Sequence, residues 1–176
     1  MARPSTAEVV LRRGTLADVP GIRALAEVVV PATYGPIDAA YAQRMLDEWW
    51  SVARLELLLS TFTHVIAEQD GQVVGMANLG RVSQASHRDL GHVVEDREVM
   101  WKLYVHPDHH GRGIGSRLLA SIEALAAGPE LWLEVVDGND RAAAFYEARG
   151  FEEVERVPGG AVPDDVWFRK RLDRAR

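Results

Sequence analysis

The chain has 176 residues, enough to bury a core, and one domain spanning 1–176 is expected. Its 26 acidic against 20 basic residues give a net charge of -6, which argues against nonspecific nucleic-acid binding, so no nucleic-acid partner is expected and any anion site must be local. Without cysteine there is no disulfide, thiolate metal site or cysteine nucleophile, and without an apolar N-terminal stretch of spanning length the expected protein is soluble and cytoplasmic, with no membrane partner.

In chain order, Val9-Val10-Leu11 reads as a short strand, and Gly14-Thr15 with Asp18 and Pro20 turns the chain into a helix. Ile22, Leu25, Ala26 and Val29 recur at spacings of three and four, and Pro31 is expected to close that helix. After Gly35-Pro36, Asp38 can cap a second helix with the apolar stripe Tyr41, Met45, Leu46 and Trp49, and the apolar stretch Leu55 to Leu59 follows. Trp49 and Trp50, with Tyr34 and Tyr41, either line an acceptor pocket or belong to the core. Val65 to Ala67 and Val73 to Ala77 flank Asp70-Gly71, a pair suited to the positive backbone angles of a tight hairpin turn.

The polar stretch Ser83 to Asp96 reads as a loop, either a lid over the acceptor or a plain connection. Val99, Trp101, Leu103 and Val105 alternate with more polar neighbours as a strand that Pro107 ends. A helix follows from Ile114 with Leu118, Leu119, Ile122 and Leu125, and Gly128-Pro129 stops it before the buried strand Leu131 to Val136. Strand, glycine turn, helix and strand make a parallel crossover. Asn139 or Asp140 caps another helix running to Arg149, with Gly150 at its left-handed end, and two strands near Val154–Val157 and Val166–Lys170 complete the chain.

The chemistry concentrates in His110-Gly111-Arg112-Gly113-Ile114-Gly115. Glycines there let backbone amides approach a ligand, and the helix beginning near Ile114 adds its partial positive charge, so the turn suits a pyrophosphate. Arg112, Arg117, His106, His109 and His110 can add positive charge in a protein that is acidic overall. A dinucleotide turn would normally follow the first strand, whereas this one lies behind two helices and a hairpin, and a P-loop would need Gly-Lys-Ser or Gly-Lys-Thr. The three histidines sit in a turn without carboxylates in a ligand pattern, so no metal is expected.

Two ordered motifs, Leu103-Tyr104-Val105-His106-Pro107 running into the glycine turn, and Asn139 to Ala143, Phe145-Tyr146, Gly150-Phe151, resemble those of the GNAT superfamily of N-acetyltransferases. The resemblance covers Val9 to about Leu172 and implies an α/β fold: a mixed, mostly antiparallel sheet with helices on both faces, splayed between two parallel central strands to admit acetyl-CoA. It implies that Leu103, Tyr104 and Val105 lie along the pantetheine arm, that His110, Gly111, Arg112, Gly113, Ile114, Gly115 and Ser116 surround the pyrophosphate, and that Asn139 and Tyr146 reach the cofactor from the far strand. His110 stands where the family usually has Gln or Arg, which is expected to tune affinity.

The implied activity is acetyl-CoA-dependent acetyl transfer to a primary amine of a small molecule, peptide or protein, directly within a ternary complex. A homodimer is possible in this superfamily. The rival readings are a catalytically silent acyl-CoA-binding sensor and a nucleotide-binding protein using the same turn. Transfer requires a neutral amine, a polarised carbonyl and a tolerable leaving thiol. Tyr146 is the candidate acid for the sulfur, a backbone amide near Leu103 can polarise the carbonyl, and Glu98, on the strand carrying the cofactor contacts, is the candidate base.

Overall fold

The computed structural model describes residues 8–81 and 97–173, so the Ser83 to Asp96 stretch lies outside the described residues. Seven strands, β1 (Val10–Arg13), β2 (Thr63–Gln69), β3 (Gln72–Arg81), β4 (Glu98–Val105), β5 (Glu130–Val136), β6 (Glu152–Val157) and β7 (Asp165–Arg171), form one sheet in the order β1-β2-β3-β4-β5-β7-β6. Helices α1 (Val19–Tyr34), α2 (Ala39–Glu48) and α3 (Val52–Thr61) precede β2; α4 (Ile114–Leu125) links β4 to β5, and α5 (Asp140–Glu147) follows β5. All neighbouring strands are antiparallel except β4 and β5, which the α4 crossover makes parallel.

Local chemistry explains most boundaries. Asp70 and Gly71 both hold positive φ, 52° and 75°, and close the β2–β3 hairpin on the pair Gln69–Gln72. Asp38 caps α2 by accepting the Tyr41 amide at 2.9 Å. Pro31 does not end α1: the helix continues to Tyr34, and Gly35 donates to the Pro31 carbonyl at 3.0 Å. The missing N–H costs one bond beside an exposed ring, and the extra turn buries Tyr34. The stripe of α2 also shifts: Trp49 is 45% exposed, whereas Trp50, just past the helix, is fully buried.

The apolar residues separate into two main layers. Leu118, Leu119 and Ile122 of α4, with Tyr146 and Phe151, cover Leu131, Leu133, Val135 and Phe168 on one face of the sheet. On the other face, Ile22, Leu25, Val29, Met45, Leu46, Trp50 and Leu55 cover Ile66, Met76 and Val136. Between these layers the sheet splits. β4 and β5 pair only at Val99–Trp132 and Met100–Leu133; beyond that point both strands continue without pairing to each other.

A bulge sits at the fork. Asn78 pairs with Lys102 and Gly80 with Val99, so two steps along β3 face three along β4, one extra residue. The bulge breaks the alternation: Met100 and Leu103 pack on the α4 side, while Trp101 meets the Trp167 ring at 6.0 Å and Lys102 lies over Trp50 at 4.2 Å.

Candidate active site

β4 runs through a short 3-10 turn, Pro107–His109, into the glycine turn. Gly111 and Gly113 both take φ of 75°, a left-handed angle costly for residues with a Cβ, and a Cβ built on either would meet nothing within 4 Å. Backbone angle, not packing, therefore demands glycine there. Gly115 differs: it is helical, and a Cβ would lie 3.5 Å from Phe145 Cζ of α5. Among the described residues, no backbone carbonyl accepts the amides of Gly111, Arg112 or Gly113, and the first closed bond of α4 is Arg117 N to Gly113 O at 3.0 Å. The amides of Ile114, Gly115 and Ser116 are first-turn donors without a partner inside the helix. A continuous run of donors thus surrounds a helix N-terminus, the arrangement that binds phosphate.

The side chains supply the charge differently from expectation. Arg117 is turned away and donates to the Val9 carbonyl at 3.0 Å. His109 Nε2 donates to Gln69 Oε1 at 2.9 Å, and burial with Arg112 nearby lowers its pKa, so it stays neutral at pH 7. His106 Nδ1 accepts the Asp108 amide at 3.3 Å, and His110 Nε2 donates to the Val105 carbonyl at 2.9 Å, fastening the turn to the end of β4. Arg112 is exposed. The cation held at the cradle is Arg149, whose guanidinium lies 3.7 Å from the Phe145 ring centroid and donates to Phe145 O at 2.8 Å and Ser116 Oγ at 2.7 Å. Its place just before Gly150-Phe151 was the available signal.

A cleft of about 730 Å³ joins the cradle to the gap between β4 and β5. Leu103, Tyr104 and Val105 line it from β4; His110, Gly111, Gly113, Ile114, Gly115 and Ser116 line its phosphate end; Asn139 and Tyr146 close it from α5. The structure thus brings together the residues expected to bind a cofactor except the exposed Arg112, whose side chain does not line the cleft. Asn139 also caps α5 by accepting the Ala142 amide at 3.3 Å. Because β4 and β5 part after Met100 and Leu133, the facing edges of both strands offer backbone groups to an extended chain.

Tyr146 is 7% exposed, set edge-on between Phe145 and Phe151 at 5.2 and 5.6 Å, and burial holds its hydroxyl protonated far above neutral pH. Deeper in the cleft the hydroxyls of Tyr34 and Tyr104 share a hydrogen bond of 2.6 Å. Glu98 does not reach this cleft. Its carboxylate accepts the amides of Ala127 at 3.0 Å and Gly128 at 2.6 Å and ties the end of α4 to the start of β4. The carboxyl that does line the cleft is Glu134 of β5. Burial raises its pKa to about 8, with Asp165 pushing the same way and Lys102 opposing. A charged residue inside the apolar run Leu131 to Val136 was its signal in the sequence.

A forked sheet, a bare amide cradle at one end of the fork and titratable side chains at the other fit a long ligand with a diphosphate, an extended amide-bearing arm and a reactive tip, as an acyl-CoA has. This is the architecture of an acyl-CoA-dependent transferase. The model of the Acetyltransferase (GNAT) family matches residues 23–151. The chain is 33% identical over 135 residues to the N-alpha-acetyltransferase RimI of Mycobacterium tuberculosis, covering 70% of this chain and 80% of that protein. It is 29% identical over 122 residues to the L-amino acid N-acyltransferase MnaT of Escherichia coli, covering 68% of this chain and 65% of that one. The fold superposes on the PaiA N-acetyltransferase of Thermoplasma acidophilum in complex with coenzyme A with a TM-score of 0.76, at 20% identity, over 93% of this chain and 99% of that one. The chain belongs to the GNAT acetyltransferase family and is an N-acetyltransferase that uses an acyl-CoA co-substrate.

Proposed function

We propose that this enzyme moves an acetyl group from acetyl-CoA to a primary amine, an α-amine in preference to a lysine side chain, by direct transfer in a ternary complex. Acetyl-CoA brings the activated acetyl group and a thiol as leaving group. The amides from Gly111 to Ser116, with Arg149 beside them, hold the diphosphate, and the unpaired edge of β4 beyond Met100 takes the amides of the arm. Backbone N–H groups at the β4 bulge polarise the acetyl carbonyl.

Glu134 takes the proton from the amine nitrogen. A base near pH 8 is matched to an α-amine of pKa about 8, whereas a lysine amine near ~10.4 gives up its proton far less readily. RimI of M. tuberculosis, by its name an N-alpha enzyme, supports the same preference. Tyr146 keeps a proton on Oη in the cleft, where the departing sulfur needs one. The observation that carries this reading is that the glycine cradle, Tyr146 and Glu134 all line one cleft.

The experiment is Glu134→Gln assayed with acetyl-CoA and a peptide bearing a free α-amine. kcat/KM should fall by about 10²–10³-fold with coenzyme A affinity retained. Turnover equal to the parent would remove Glu134 from the mechanism. Coenzyme A binding without thiol release, whatever amine is supplied, would remove the transfer itself.

A further inference from the structure

Three ionisable side chains from three adjacent strands converge where β4 and β5 part. Along β5, Leu133 and Val135 point to the α4 layer, so Trp132, Glu134 and Val136 point to the opposite face, where Val136 joins the α1–α3 core. Asp165 of β7 pairs with Val136 and Trp167 pairs with Glu134, which makes Asp165 the diagonal same-face neighbour of Glu134. Diagonal residues stand roughly 7–8 Å apart at Cα, within reach of a glutamate. Lys102 reaches the same face from β4 because of the bulge: it lies two residues past the last β4–β5 pair, Glu134 one residue past it. It is 7% exposed, with Nζ 4.2 Å from the centre of the Trp50 ring.

We propose that Lys102 and Asp165 are positioning residues for proton removal: charges of opposite sign on the two strands flanking Glu134 set the pH at which it accepts the proton of the acceptor amine. This rests on the reading of Glu134 as the base. Buried alone, a glutamate stays protonated well above neutral pH and is useless as a base; a nearby cation favours its ionised form and a nearby anion opposes it. The other groups that act on this array are a histidine, tyrosines and further charges: His64 of β2, which burial keeps neutral with a pKa of about 4, feels the Lys102 charge. Tyr34 of α1, Tyr41 of α2 and Tyr104 of β4 all feel the Glu134 charge, and burial keeps the three neutral. Arg44 acts on Tyr41, Arg54 of α3 on Lys102, and Asp164 on Asp165. Asp165 ionises near pH 6, so its charge is present throughout the titration of Glu134, while Lys102 gives up its proton near pH 8, in the same range as Glu134, and its charge acts on Glu134 at and below that pH.

The signs are opposite, and that is what the experiment reads. The carboxyl carbon of Glu134, assigned by its loss in Glu134→Gln, is titrated by carbon-13 NMR in the parent, Lys102→Met and Asp165→Asn. The pH profile of kcat/KM for a peptide α-amine is recorded alongside. Lys102→Met should raise the Glu134 midpoint by about one pH unit, and Asp165→Asn should lower it by about one, with the rise in activity moving the same way. Circular dichroism checks folding, and Lys102→Gln, with the same expected direction, replaces the methionine variant if that one does not fold. Unmoved midpoints, or shifts of the same sign, in a protein that Glu134→Gln inactivates would overturn this proposal and leave Glu134 as the base. Full turnover in Glu134→Gln would overturn both.

Discussion

Glu98 gives the sharpest test of how the cleft is separated from its scaffold. Its side chain is 9% exposed, its two oxygens accept the Ala127 and Gly128 amides at 3.0 and 2.6 Å, and Arg81 Nη2 lies 4.0 Å away. Glu98→Ala removes both acceptors at once. A hydrogen bond to a charged group contributes about 1.5–3 kcal/mol, and the two amides belong to a part-buried loop where water can replace some of that. The expected loss is therefore about 2–4 kcal/mol. For a chain of this size each kcal/mol lowers Tm by roughly 2–4 °C, so thermal melting followed by circular dichroism should show a fall of about 5–15 °C. Turnover per folded molecule, measured well below the new Tm with saturating acetyl-CoA, should stay within about twofold of the parent, because Ala127, Gly128 and Arg81, which the carboxylate meets, do not line the cleft. A fall in kcat of about 10²-fold with Tm unchanged would refute the structural role and return Glu98 to the chemistry.

Tyr146→Phe should lower kcat by about 10–10²-fold with little change in coenzyme A affinity, since a thiol of pKa about 8.5 is already a fair leaving group; equal turnover would exclude Tyr146 as the acid. Gly113→Asp places a carboxylate at a left-handed position beside the phosphate site and should weaken coenzyme A binding by at least about 10²-fold, read by calorimetry. An unchanged Kd would move the diphosphate elsewhere.

Features fixed by backbone geometry were legible in the sequence. Asp70-Gly71 demanded a tight turn, Gly111, Gly113 and Gly115 a turn whose amides a ligand can approach, and Asn139 or Asp140 a helix start, and each has local physics independent of what packs on it. What depends on tertiary partners was not. Pro31 reads as a stop because its lost hydrogen bond is local, whereas the gain from burying Tyr34 against Tyr104 involves a residue 70 positions away. Trp49 fitted the α2 stripe, but the chain leaves the helix there and buries Trp50 instead.

Glu98 and Glu134 show the same limit at the site. Both are acidic residues on the two strands that flank the gap, and the sequence shows neither where the strands stop pairing nor that the bulge turns Lys102 toward Glu134. Glu98 lies before the last β4–β5 pair and Glu134 after it, so only Glu134 reaches the opening. The cationic side of the cradle was obscured similarly, because Arg117 and Arg149 are equivalent as residue types and only their contacts separate them.

If bare amides at the start of α4 hold the diphosphate of an acyl-CoA, coenzyme A must reach them directly. Titrating coenzyme A into nitrogen-15-labelled protein tests it residue by residue. The amide signals of Gly111, Arg112, Gly113, Gly115 and Ser116 should move together, saturate with one equivalent and become protected from hydrogen exchange. Saturable binding that leaves those five amides unmoved would contradict the account.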